Sequence, residues 1–255
     1  MLMPDFLSTF PPQTWGMIAL AFFVAGVVKG VVGQGLPSVV LALLTVVIGL
    51  KPAMALLVVP TFLTNVWQAL QGKSLLMILK RTWGLLLAAC AGVWIGVGVL
   101  AAADARIMSA FMGLVLASYG ALGLARPQLP KPPPRHEIWL GPAVGVVNGV
   151  LAGMTGSLAL PGVPYMQALG FDKNTLVQGM GILFTVASVS MAIAMADQKL
   201  LTLELAGAST AGVVPALIGM WAGQQIRHRL SEEMFKRVMF IALIAIGCFI
   251  ASRAL

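Results

Sequence analysis

The stretch Lys29-Gly-Val-Val-Gly-Gln-Gly-Leu-Pro37 decides how the chain is read. It lies between two apolar runs and puts three glycines, a proline, a glutamine and a lysine where an uninterrupted membrane helix would carry none of them. Glycine and proline loosen a helix, and backbone freed inside hydrocarbon persists only where it lines a cavity or is buried in protein. A lysine at that depth marks a functional site for the same reason. A weaker echo of the stretch runs from Asn148 to Pro161.

Outward from this break, composition sets the class. The 255 residues are 59% hydrophobic and 9% charged, with a mean hydropathy of +0.96, and no water-soluble domain of this length has that balance. Apolar runs recur along the whole chain without the in-and-out alternation of barrel strands, so helices are the spanning element. The expected fold is an all-α polytopic membrane protein. The net charge of +8 comes from Lys and Arg spread over loops, which fits the orientation rule for membrane proteins and not a nucleic-acid surface. Cys90 and Cys248 each sit inside an apolar segment and read as small buried side chains, with neither a disulfide nor a metal site expected. Met1 to Thr14 carries no Lys or Arg, so it reads as a short native tail and not a signal peptide.

In the first half, apolar segments are expected over about Trp15–Val32, Ser38–Leu50, Pro52–Gln71, Thr82–Ala103 and Ile107–Leu124. The second reaches only about 20 Å against a core of about 30 Å, so a half-length or broken helix should follow the first segment. Thr61, Thr64, Asn65 and Gln68 fall on one helical face, which should point inward. Lys73, Lys80 and Arg81 read as a basic loop. Arg126 to Arg135 holds five prolines and reads as a stiff, non-helical linker. It divides the chain into a first transmembrane repeat, 1–125, a proline-rich cytoplasmic linker, 126–137, and a second repeat, 138–255.

The halves echo each other. Gly26-Val-Val-Lys-Gly-Val31 matches Gly145-Val-Val-Asn-Gly-Val150, Gly49-Leu50 matches Gly170-Phe171, and Trp94-Ile-Gly96 falls near Leu217-Ile-Gly219. Each half holds five segments, and an odd number forces the repeats to be inverted. With the amino terminus outside, the inner side would hold Lys73, Lys80, Arg81, Arg126, Lys131, Arg135, Lys173, Arg227, Arg229, Lys236 and Arg237. The outer side would keep Lys51, Arg106, Lys199 and Arg253, which is the asymmetry that the positive-inside rule requires. Lys29 remains in the membrane.

Inverted repeats with interrupted helices put a site near the midplane, where half-helix amino-terminal ends present unpaired amides to an anion. Those ends should lie near Pro37-Ser38 and from Ser157 to Pro161, with Gly33, Gly35, Gly153 and Gly156 letting backbone approach. All eight acidic residues fall in loops or at segment ends, so no mid-membrane carboxylate neutralises Lys29. A buried lysine must then stay neutral, meet water or meet an anion, or else snorkel to the inner surface. Thr155, Ser157, Thr185, Ser188 and Ser190, with Thr61, Thr64, Asn65 and Gln68 of the first half, are candidate donors to an oxyanion, and the amides of Gln34, Gln68, Asn148 and Gln178 are the costlier ones to bury. Hydrogen bonding between helices is the plainer role for any single Ser or Thr among them. Met154, Met166, Met180, Met191 and Met195 read as core packing.

On these residues the chain resembles the TauE/SafE sulfite-exporter family of bacterial membrane transporters, over essentially its whole length. The resemblance rests on two glycine-rich stretches, Gly30, Gly33, Gln34, Gly35 and Pro37 in the first half and Gly149, Gly153, Thr155, Gly156, Ser157 and Pro161 in the second. It implies transport of sulfite, of sulfonates such as sulfoacetate, or of related sulfur-containing anions across a bacterial inner membrane. The expected substrate-binding residues are Lys29, Gly30, Gly33, Gln34, Gly35, Pro37, Ser38, Thr64, Asn65, Gln68, Asn148, Gly153, Thr155, Gly156, Ser157 and Gln178. A small anion and the lipid bilayer are the expected partners, a homodimer is left open, and neither nucleic acid nor any cofactor or metal is expected. The competing readings are a passive anion channel on the same scaffold and a structural or assembly protein. An enzyme is disfavoured, because His136 and His228 fall in basic loops and Ser157 has no histidine or carboxylate in its segment.

Overall fold

The computed structural model describes residues 10–125, 129–226 and 231–254. The tail through Thr9 with Asp5, the start of the proline linker with Arg126, and Arg227, His228 and Arg229 lie outside them. Among the described residues the fold is helical throughout, and eight helices are long and apolar enough to cross a membrane.

The first half comprises α1 (Pro12–Val32), α2 (Leu36–Ile48), α3 (Leu50–Leu70), α4 (Leu75–Ala102) and α5 (Ala105–Ala125). Pro12 opens α1 at a position where its missing N–H has no helical partner to lose. Gly33, with φ of 84°, closes α1 by donating its N–H to the Lys29 carbonyl at 2.7 Å. Gly35, with φ of 100°, then starts α2. Two left-handed residues around Gln34 turn the chain back on itself, a geometry open mainly to glycine. With 13 residues, α2 reaches about 20 Å, as its length in the sequence required.

The second half comprises α6 (Pro134–Thr155), α7 (Gly162–Ala168), α8 (Lys173–Asp197), α9 (Leu203–Ser209), α10 (Val213–Ile226) and α11 (Glu232–Ala254). A 3-10 turn, Thr210–Gly212, joins α9 to α10, and the two together form one span. The α8 amino terminus is capped by Asp172, whose carboxylate accepts from the amides of Asn174 and Thr175. The Thr175 hydroxyl first, and then these amides, hold that carboxyl below the usual carboxylate range.

Two expectations are corrected. Lys80 and Arg81 are not in a loop, because Leu75-Leu-Met-Ile-Leu supplies two turns of strong helix formers and α4 runs for 28 residues, about 42 Å. Pro134, Arg135 and His136 belong to α6, where Pro134 takes the first helical position. The linker is non-helical over residues 129–133.

Packing is crosswise. A Cβ at Gly26 or Gly30 of α1 would strike the Ala216 or Met220 carbonyl of α10, and one at Gly145 or Gly149 of α6 would strike the Leu85 or Ala89 carbonyl of α4. The glycines of the repeated hexapeptide thus do the same work in both halves, letting the first helix of one half lie backbone to backbone on the fourth helix of the other. Both seams are parallel. By contrast, α3 pairs with α8, and α5 with α11, in antiparallel fashion: Gly113 meets Gly247, and Gly120 meets the Phe240 carbonyl.

Candidate functional site

The two glycine-rich breaks converge. Ser38 Oγ, in the first turn of α2, lies 3.4 Å from Ser157 Oγ, which follows α6. Gly156, with φ of 73°, ends α6 by donating its N–H to the Ala152 carbonyl. The Thr155 hydroxyl donates to the Leu151 carbonyl at 2.6 Å and accepts the Ser157 N–H at 3.2 Å, fixing the chain as it leaves the helix. Beside Ser38 is a crevice of about 10 Å³ lined by Gln34, Gly35, Pro37, Ser38, Tyr119 and Leu158 among others. It adjoins a vestibule of about 730 Å³, and Gln34 and Tyr119 line both spaces. The vestibule lies where α5 finishes and α11 begins, with Leu129, Gln167, Glu233 and Lys236 in its wall.

Lys29 turns into the protein and not to a surface. It is 4% exposed. Its ammonium donates to the Thr64 hydroxyl at 3.0 Å and to the Asn65 amide oxygen, so the inward face expected on α3 is where its cage lies. Thr64 in turn donates to the Pro60 carbonyl at 2.7 Å. Among the described residues no acidic side chain takes part. Nearby on α3, Thr61 Oγ1 and Asn65 Nδ2 are buried without a partner among the described residues.

The remaining expected residues are brought to other places. Gln68 Nε2 donates to the Val177 carbonyl at 2.8 Å, while Gln178 donates to the Ala69 carbonyl at 2.9 Å and accepts the Ser74 N–H at 3.0 Å. This reciprocal pair ties α3 to α8. Asn148, which stands where Lys29 stands in the repeated hexapeptide, accepts the Gly162 N–H at 2.9 Å and so caps α7. The second half therefore fills its own helix start, whereas α2 begins without a side-chain cap. Gly30 and Gly153 lie in the helix seams, and Gly33 shapes the break.

Tyr119 is the lining residue that motif reading missed. The signal was present, since the chain has two tyrosines and this one interrupts an apolar run. Arg81 was likewise set aside as loop charge. It makes a two-point contact with Glu137, through Nε at 2.8 Å and Nη2 at 2.6 Å, also donates to the Leu169 carbonyl at 3.0 Å, and lies over the Phe171 ring. It thereby clasps α4 to the start of α6 and the end of α7.

A family model described as Sulfite exporter TauE/SafE matches residues 18–250, a range that contains both breaks and reaches into every spanning helix. The chain belongs to this family. No curated protein and no solved structure matches it. Membership in a family of sulfite exporters, with eight helices able to span, makes it a multi-pass membrane protein of the anion-transporter kind. In this TauE/SafE protein the cage around the Lys29 side-chain nitrogen is built of neutral oxygens, Thr64 Oγ1 and Asn65 Oδ1.

Proposed function

We propose that this TauE/SafE protein carries a small sulfur-containing oxyanion or sulfonate across a bacterial inner membrane by alternating access, with the anion bound where the two glycine-rich breaks meet. The observation that carries the reading is the 3.4 Å approach of Ser38 to Ser157, with Ser38 in the wall of the crevice that adjoins the vestibule. Two breaks 119 residues apart in the chain have no reason to converge in a purely structural bundle. The uncapped start of α2 offers amides and the positive end of a helix dipole, and Lys29 lies one turn before Gly33 with its nitrogen on Thr64 and Asn65.

The antiparallel pairing of α3 with α8 and of α5 with α11 supports inverted repeats, because a two-fold axis in the membrane plane reverses equivalent helices and an axis along the normal does not. The crevice is far smaller than an oxyanion, so binding requires the breaks to part, which suits a gated carrier better than an open channel. Both termini then face outward and the linker is cytoplasmic.

The test is a thermal-shift panel on detergent-purified protein with sulfite, thiosulfate, sulfoacetate, sulfate, lactate and chloride, since a ligand that binds the folded state raises its apparent stability. A selective rise with sulfur oxyanions or sulfonates, lost in Lys29→Met, is the expected result. Equal shifts with all anions, or none in folded protein, would sink the substrate assignment.

A further inference from the structure

Two side chains stand where the vestibule narrows to the crevice, and the fold needs the polar atom of neither. Tyr119 of α5 is 4% exposed and packs its ring edge-on against Phe240 of α11, with centroids 5.5 Å apart. Its hydroxyl has no partner among the described residues. Gln34, between the two left-handed glycines, is 9% exposed, and its Oε1 is also buried without a donor. A buried polar atom left unpaired is unfavourable, so a ligand that pairs it gains affinity and an analogue that cannot is rejected.

The two atoms ask for different things. The tyrosine hydroxyl donates readily to an oxyanion, as do the free amides in the first turn of α2. The glutamine oxygen only accepts, so it needs a donor that a bare oxyanion lacks. The vestibule above them is walled largely by carbon, including Leu122, Leu160, Val163 and Phe240, which suits a short carbon chain more than a fully hydrated inorganic ion.

We infer that Gln34 and Tyr119 are the specificity-determining pair of this site, and that they select a short organic oxyanion whose carbon chain bears its own hydroxyl or amino donor. Tyr119 meets the anionic head together with the start of α2, and Gln34 Oε1 accepts from the substituent. The inference rests on the transporter reading above and adds the chemical class of its substrate.

The test uses two probes that differ only in the donor, ethanesulfonate and 2-hydroxyethanesulfonate, titrated calorimetrically into full-length protein in detergent. The wild-type protein is expected to hold the hydroxylated probe about tenfold more tightly. Gln34→Met should erase that preference by bringing 2-hydroxyethanesulfonate down to the affinity of ethanesulfonate, since the acceptor for its hydroxyl is lost. Tyr119→Phe keeps the ring on Phe240 and should weaken both probes about tenfold with an unchanged melting temperature. Equal affinity of the two probes for wild-type protein overturns the inference, as does a preference that survives in Gln34→Met. If the wild type binds sulfite or sulfoacetate but shows no donor preference, this inference alone fails; if it binds no anion of either panel, the transporter reading fails with it.

Discussion

Pro60 and Ser209 show how one residue's deficit is met from the other half of the chain. Proline has no N–H, so the Leu56 carbonyl one turn earlier in α3 loses its helical donor. The Ser209 hydroxyl donates to that carbonyl at 2.7 Å and accepts the Val59 N–H at 3.0 Å. Ser209 is fully buried, so Ser209→Ala leaves the Leu56 carbonyl without a donor and should destabilise the protein by about 1–3 kcal/mol; reversible unfolding in mixed detergent micelles reads this directly, and an unchanged midpoint would refute the role. The proline is visible in the sequence, but the residue that answers it lies 153 positions away. The same limit applies to Gln68 and Gln178. Both are amides costly to bury, and the backbone carbonyls they donate to, Val177 and Ala69, come within reach only when α3 and α8 dock. Lys29 was legible as a buried cation without a carboxylate, whereas its Thr64 and Asn65 cage depends on the rotation of α3.

Helix seams made of glycine yield a controlled comparison within α4 and α6. Gly149→Ala drives a methyl into the Ala89 carbonyl and should destabilise by about 1–3 kcal/mol through overpacking. Gly98→Ala meets nothing within 4 Å and should stabilise by up to about 1 kcal/mol, because alanine suits a helix interior better. Similar effects from both substitutions would refute the seam. At the start of α8, Asp172→Ala should lower the melting temperature at neutral pH. The Asp172 carboxyl is held low in the folded state, so its contribution is present above the unfolded carboxylate pKa and is lost as pH falls through the folded value. The gap between variant and wild type should therefore close with acidification, and a gap constant with pH would point to a cause other than the cap. The breaks were readable because glycine and proline act on their own local backbone. The extent of α4 was misread because Lys80 and Arg81 signal a membrane boundary in charge while remaining good helix formers.

The meeting of the two breaks ties both halves to one event. With Cys90 and Cys248 replaced, a Ser38→Cys, Ser157→Cys pair should cross-link on mild oxidation and arrest uptake into proteoliposomes, and reduction should restore it. Undiminished uptake by the cross-linked protein would mean that the breaks need not part. Tags at both termini should be reached by impermeant reagents on intact cells, and a tag in the linker should not. The glycines of the repeated hexapeptide were legible as close-packing positions, whereas the exchange of partners between the halves of the chain was not, because small residues advertise a seam without naming its other side. That exchange bears on biogenesis. Helix α1 leaves the ribosome first, yet the helix it rests on, α10, is complete only at Ile226. Some 190 residues must be made in between, roughly 10–40 s of translation at typical rates. Throughout that interval the Gly26 and Gly30 face of nascent α1 stands in the bilayer or the insertion machinery without the α10 backbone it packs on. The first half alone therefore cannot fold to completion on the translocon, and two fragments severed at the linker should assemble only when synthesised together.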